Sequence, residues 1–264
     1  NFGIDFTGGS ILSLEFKNIR PTNQEVENKL ADLNLGEITV QPTGGNGLIL
    51  RVKFINEDTH QQLLDKFNGK AEEKSFDSIG PAVGKELTNK IFVFIIVVLF
   101  AIIFFIAFAF RRASHPVSSW QYGLVASLVA FLHDVLIPLG IFSLLGKFYN
   151  IQVTIPIAVG LLTILGYSVH DTIVVFDRIR ENISLLGGRS FEEIVNKSLN
   201  QTLIRSVNTS LTTLLVLLAI FFVGGETLKY FSLILILGII TGTYSSIFIA
   251  SPILVSWLKL RKRG

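Results

Sequence analysis

The chain has 264 residues, half of them hydrophobic, with 22 phenylalanines and a mean hydropathy of +0.56. That composition is too apolar for a soluble core and suits membrane helices. A net charge of +3 gives no footing for nucleic acid, and the lack of cysteine excludes disulfides, zinc–thiolate sites and thiol catalysis. The start at Asn1 and the lack of methionine read as a fragment whose native start lies upstream, and no secretory pattern opens it.

Residues 1–80 are polar enough for a water-soluble domain. In the opening segment GIDFTGGS, Asp5, Gly8 and Gly9 mark a turn or bulge where the chain enters its first strand, ILSLEF. Pro21 and Thr22 open a helix to about Leu33, with acids early in it. GEITVQPT and LILRVKF read as strands joined by a hairpin at Gly44-Gly45-Asn46-Gly47, whose residues tolerate positive φ. A second helix from Glu57 to about Phe67 and a last strand at Lys74–Ile79 complete the order β-α-β-β-α-β, the ferredoxin-like pattern. Gly80-x-x-x-Gly84-Lys85-Glu86 is one residue short of a phosphate loop and has Glu86 where Ser or Thr would bind magnesium. It reads as a linker, 81–90, running into the first span.

A crossing helix needs about 20 apolar residues. Stretches 91–110, 122–145, 151–176, 207–223 and 230–258 meet that need, so residues 91–264 form a bundle of five helices, six natively with one ahead of Asn1. Gly238-x-x-x-Gly242 lets two helices approach closely, which is more often plain packing than dimerisation. Cations crowd alternate loops: Arg111 and Arg112; Arg178, Arg180, Arg189, Lys197 and Arg205; Lys259, Arg261, Lys262 and Arg263. By the positive-inside rule these loops and the C-terminus are cytoplasmic, and the ferredoxin-like domain is extracytoplasmic. Residues 177–206 form a cytoplasmic amphipathic loop. The third helix stops at Gly187-Gly188, and the capping box Ser190-x-x-Glu193 restarts a helix with Phe191, Ile194, Val195 and Leu199 on one face.

Acids inside spanning helices cost a few kcal/mol and are functional by default. Asp171 lies six residues before Asp177, about 9 Å inside the edge. It shares a face with Tyr167, Ser168 and Arg178. Asp134 precedes Pro138, where a kink frees backbone groups that need partners. Arg205 opens the fourth span, followed by a polar stripe of Asn208, Thr209, Thr212 and Thr213. Acids facing a cation and a hydroxyl-lined helix are what a proton path needs. The pairs His133-Asp134 and His170-Asp171 invite a metal-site reading, but neighbours on a helix point about 100° apart and no H-E-x-x-H is present. No metal, cofactor or enzymatic chemistry is expected.

FGIDFTGGS at the start, GYSVHDTIVVFDRIREN at Gly166–Asn182 and NQTLIRSVNTSLTTL at Asn200–Leu214 resemble the signature segments of the SecF family, the SecD/SecF group of RND-type protein-export membrane proteins. The resemblance spans essentially the whole chain, less the family's first transmembrane helix. It implies a bacterial cytoplasmic-membrane subunit that pairs with SecD, assists the SecYEG channel and uses the proton gradient to help unfolded preproteins emerge. It also implies that Asp171 and Arg205 are the charged residues of proton-driven export, with Asp134 beside them. Ser168, His170, Asn208, Thr209 and Thr213 would form the supporting polar path. The resemblance leads to Asn where this chain has His170, which leaves the part of His170 in proton transfer open. Two alternatives remain: a half-transporter for small molecules or lipids, against which the small outer domain counts, and a structural adaptor that would tolerate neutral residues at Asp171 and Arg205.

Overall fold

The computed structural model describes residues 1–111, 116–186 and 188–263. Arg112 and Gly187 lie outside the described residues, as do the side chains of Arg261, Lys262 and Arg263. The chain divides into two compact units, Asn1–Phe92 with Gly146–Thr154, and Val93–Leu145 with Ile155–Gly264.

The first unit holds α1 (Ile4–Thr7), β1 (Gly9–Phe16), α2 (Asn23–Leu30), β2 (Thr39–Pro42), β3 (Gly47–Val52), α3 (Glu57–Asp65) and β4 (Ala71–Ile79). Its four strands form one antiparallel sheet in the order β2-β3-β1-β4, so the β-α-β-β-α-β chain order closes as a ferredoxin-like domain. Alternation sets which face is buried. Leu12 and Leu14 of β1 lie opposite Leu50 and Leu48 of β3, and all four pack on Val26, Leu30, Leu63 and Phe67 from the helices. A capping box starts α2: Glu25 N–H donates to Thr22 Oγ1 at 3.3 Å, and Thr22 N–H donates to Glu25 Oε2 at 2.8 Å. Those bonds from Thr22 hold the Glu25 carboxyl below the usual carboxylate range.

The GIDFTGGS segment is a single helical turn closed by Gly8, whose N–H donates to Ile4 O at 2.9 Å. Gly8 has φ +74° and ψ 159°, and Gly9 has φ +139°. Both conformations belong to glycine. Space forbids a side chain as well, since a Cβ on Gly8 would lie 2.7 Å from Pro81 Cα and one on Gly9 2.9 Å from Val52 O. The residues ahead of the turn pair with the segment before the third span: Gly3 N–H donates to Val153 O and Val153 N–H to Asn1 O, each at 2.8 Å. Residues 151–154 are therefore extended, and the helix expected from 151 begins at Ile155.

Among the described residues, five helical stretches are long and apolar enough to cross a membrane: Pro81–Ala109, Ser119–Tyr149, Ile155–Leu185, Phe191–Val223 and Leu228–Leu260. In the second unit they comprise the membrane part of α4 (Pro81–Ala109), then α5 (Ser119–Val129) joined to α6 (Leu136–Tyr149) through a π-turn at Ala130–Val135. Next come α7 (Ile155–Leu185) and α8 (Phe191–Val223). Last is α9 (Glu226–Ser245), joined to α10 (Ser251–Arg263) through a second π-turn at Ser246–Ala250. Residues 81–90 are the first turns of α4, with Pro81 at the position where a missing N–H costs nothing. The expected amphipathic loop is two helix ends: α7 continues to Leu185, and α8 runs unbroken from its Ser190 cap because no breaker separates Leu199 from Val207. α7 packs along α9, where a Cβ on Gly238 would lie 2.2 Å from Ile164 and one on Gly242 3.0 Å from Ser168.

Gly8→Ala is expected to destabilise the whole chain by more than 3 kcal/mol, since strain of about 1–3 kcal/mol adds to a backbone clash. Gly45→Ala, at φ +68° with open space around it, should cost about 1–2 kcal/mol. Thermal unfolding of the purified protein in detergent would rank the two, and equal losses would contradict the geometry.

Candidate functional site

Among its described residues the second unit buries two carboxyl groups, Asp134 at 0% and Asp171 at 5% exposure. Asp134 rides on the first π-turn. Such turns widen a helix locally and recur where a side chain must be re-aimed. Pro138 has no N–H, so the Asp134 carbonyl lacks its usual helical donor; Thr241 Oγ1 of α9 stands 3.5 Å from it. The carboxyl itself is fully bonded. His133 Nδ1 lies 2.7 Å from Oδ1, while Oδ2 accepts from Ser168 Oγ of α7 and from Ser245 Oγ of α9 at 2.7 Å. Ser245 is the last residue before the second π-turn. One carboxyl thus joins three chain segments, and His133 stacks on Tyr244 with centroids 5.9 Å apart.

Asp171 sits one turn further along α7 and is bonded differently. Ser206 of α8 and Thr243 of α9 stand beside its carboxyl. Among the described residues neither Asp171 Oδ2 nor Ser206 Oγ, both buried, has a hydrogen-bond partner. Thr243 Oγ1 lies 2.5 Å from Ser210 Oγ, one helical turn beyond Ser206.

The residues nominated by sequence are distributed as follows. Asp171, Asp134 and Ser168 are buried together in the helical unit, but Ser168 bonds Asp134 rather than Asp171. Arg205 is exposed and makes no ion pair among the described residues, since Ser206, turned about 100° from it on α8, occupies the position facing Asp171. Asn208 and Thr209 are exposed on the same outer face of α8, with Thr213 half-buried. Thr213 Oγ1 lies 3.5 Å from Tyr167 Oη, and His170 is exposed on α7. Arg178, expected on the Asp171 face, bonds Gln201 and Glu181 at the α7–α8 hairpin. Asp5, Gly8 and Gly9 belong to the first unit, as described above. Sequence reasoning passed over Ser198, Thr202, Ser206 and Ser210, all buried and spaced four apart. Their regular spacing was the available signal; a competing stripe at Arg205, Thr209 and Thr213 has the same period.

Several apolar helices, two buried carboxyls and a small α+β domain define a multi-pass membrane protein of the transporter-like kind. The family model described as protein export membrane protein SecD/SecF, C-terminal, matches residues 59–260, and that of the SecD/SecF GG motif matches residues 1–18. The chain belongs to the SecD/SecF family of protein export membrane proteins. It is 46% identical to the protein translocase subunit SecF of Thermobaculum terrenum, over 97% of this chain and 84% of that protein. It is 40% identical to the SecF of Anaerolinea thermophila, over 96% and 83%. Among solved structures it is similar to SecDF of Thermus thermophilus, described as a translocon-associated membrane protein, with a TM-score of 0.85 and 35% identity. That match covers 98% of this chain and 34% of the other.

Ser245→Ala removes one donor from the Asp134 carboxyl and is expected to destabilise by about 1–3 kcal/mol. Thr163→Val, on an exposed hydroxyl bonded only to Val159 O, should stay within about 0.5 kcal/mol. Chemical denaturation in micelles measures both.

Proposed function

We propose that this chain is a subunit of the Sec translocase that pairs with a SecD-type protein and converts the proton motive force into help for preproteins crossing the cytoplasmic membrane through a SecYEG-type channel. In this reading the ferredoxin-like domain faces outward and the C-terminus lies in the cytoplasm, as the cation-rich loops suggest. Relatives named protein translocase subunit SecF support the translocation role. The relative named SecDF supports the pairing, since this chain matches only about a third of its length. The exposed polar face of α8 at Arg205, Asn208 and Thr209 is the natural surface for the partner, because such groups are costly against lipid.

The observation that supports proton coupling is the buried Asp171 carboxyl, whose Oδ2 has no hydrogen-bond partner among the described residues. Protonated, the carboxyl is stable beside Ser206. Charged, it needs a cation, and Arg205 is adjacent to Ser206 on the same turn. A rotation of α8 by about 100° would exchange the two. A proton arriving at Asp171 therefore favours one helix arrangement and its departure favours the other, which is the differential interaction a drive needs. Each proton falling through the membrane potential supplies about 2.3 kcal/mol per 100 mV. Asp134, held by three donors, is the fixed reference against which α7 and α9 stay registered.

Asp171→Asn should abolish proton-dependent export and proton flux while leaving assembly with the SecD-type partner intact. Arg205→Lys should lose most of the activity, because lysine lacks the guanidinium's fork of donors. Export assayed in membrane vesicles under an imposed proton gradient decides. Full export by both variants would favour a structural adaptor instead.

A further inference from the structure

We infer that the helical unit carries a binding site for the phosphodiester headgroup of an anionic membrane lipid, at the bundle end where α7 finishes and α8 begins. Arg189 and Lys259 hold the phosphate oxygens, and the apolar wall behind them takes the glycerol and the first methylenes of the acyl chains. The site depends on immersion in a membrane, not on the proton-coupled reading of Asp171.

Two independent observations converge on this place. The first is a cavity of about 460 Å³ where the end of α7, the start of α8 and α10 meet. Its wall is apolar, with Ile183, Phe191, Ile194, Val255 and Leu258, and it also bears Arg189, Lys259 and Glu192. Those three leave an excess of one positive charge, which one phosphodiester balances. The second is depth. Trp120 and Trp257 meet edge to face with centroids 5.7 Å apart. Trp257 adjoins Leu258 of the cavity wall, and Trp120 follows four residues after Pro116, which also lines it. Tryptophan collects at the membrane–water boundary, where lipid headgroups lie. An adjoining apolar groove of about 390 Å³ on α10, lined by Ile253, Trp257 and Leu260 with Ser256, gives an acyl chain a way back toward hydrocarbon.

Cations at a membrane edge are common, and most only anchor the chain. What sets this place apart is the concave apolar wall beside them, since basic pockets between membrane helices are where lipid headgroups are held. The Arg189 side chain is exposed and has no ion pair or hydrogen bond among the described residues, so its fork of donors is open to two phosphate oxygens. Lys259 pairs with Glu192 at 3.0 Å, but both side chains are about half exposed. Pairs so exposed are weakly held, and the lysine can turn to a phosphate instead. Inorganic phosphate offers the same oxygens but leaves the apolar wall uncovered, which is why a lipid suits the cavity better.

The chain has two tryptophans, and both lie beside the cavity, so their fluorescence reports on it. The test is quenching of that fluorescence, in the full-length protein in detergent, by phosphatidylglycerol with brominated chains. Phosphatidylcholine with the same brominated chains and no net charge is the comparison. Phosphatidylglycerol is expected to quench at a concentration lower by about fivefold or more. Arg189→Gln and Lys259→Gln are each expected to weaken that quenching by about fivefold and to leave the phosphatidylcholine curve unchanged. Lys229→Gln, at the opposite end of the same crossing stretch, serves as the control and should change neither curve. Equal quenching by the two lipids, or an undiminished preference when Arg189→Gln and Lys259→Gln are combined, would overturn the site. So would an equal loss in Lys229→Gln, which would reduce the effect to overall charge, or a changed phosphatidylcholine curve in Arg189→Gln, which would reduce it to packing. Inorganic phosphate should not displace phosphatidylglycerol beyond what chloride does at the same ionic strength; if it does, the cavity is an anion site and the lipid assignment falls.

Discussion

A carboxyl group surrounded by hydrocarbon must take its hydrogen-bond donors from neighbouring helices, because lipid has none to give. That requirement organises the helical unit. For Asp134 the donors come from His133 beside it, Ser168 on α7 and Ser245 on α9. Donors can reach across only where backbones approach closely, and Gly238 and Gly242 permit that approach along α7. The two π-turns serve the same end. One turns Asp134 inward, and the other begins directly after Ser245, so each helix departs from regular geometry at the point where it meets the shared carboxyl. Pro138 and Pro252 lie shortly after these turns, and each leaves a carbonyl one turn back without its usual helical donor.

Asp171 obeys the same requirement incompletely, and the contrast between the two acids is informative. Full satisfaction immobilises a group; partial satisfaction leaves its charge state dependent on what the helices around it do. The two hydroxyl-bearing stripes of α8 have equal spacing and opposite fates. The inner stripe is Ser198, Thr202, Ser206 and Ser210, dominated by the smallest side chain that still carries a hydroxyl. The outer stripe carries Arg205, Asn208 and Thr209 on the exposed surface. Bulk decides between them. A helix pressed against α7 and α9 turns its small residues inward, and in this arrangement Ser206 is buried while Arg205 stays exposed.

In the first unit the decisive constraint is conformational rather than electrostatic. Gly8 and Gly9 both take positive φ and lie against backbone, so the turn between the opening residues and β1 has a single solution. The residues just before it bond to Val153, which holds Gly146–Thr154 as part of the same unit. His60, 4% exposed and stacked on Phe76 at 3.8 Å, lies between Glu57 and Glu73 at 3.2 and 3.3 Å. It ties α3 to β4 by contacts that no local pattern announced.

The membrane class, the β-α-β-β-α-β order, the hairpin at residues 44–47 and the presence of acids inside the spans were all legible in the sequence. Each rests on a local rule: apolar run length, period-two alternation, glycine tolerance of positive φ, and the cost of charge in lipid. The family resemblance was legible too, because GIDFTGGS and the segment around His170 and Asp171 are long contiguous stretches. Helix ends were read less well. Residues 151–154 are extended because they bond to the chain's first residues, and α8 is continuous where composition suggested two pieces. Only the tertiary structure decided which residues face Asp171. Arg205 and Ser206 are neighbours in sequence and both suit an acid as partners. Their side chains diverge by about 100°, and the rotation of α8 about its axis is set by packing against α7 and α9, which no period in a single helix encodes.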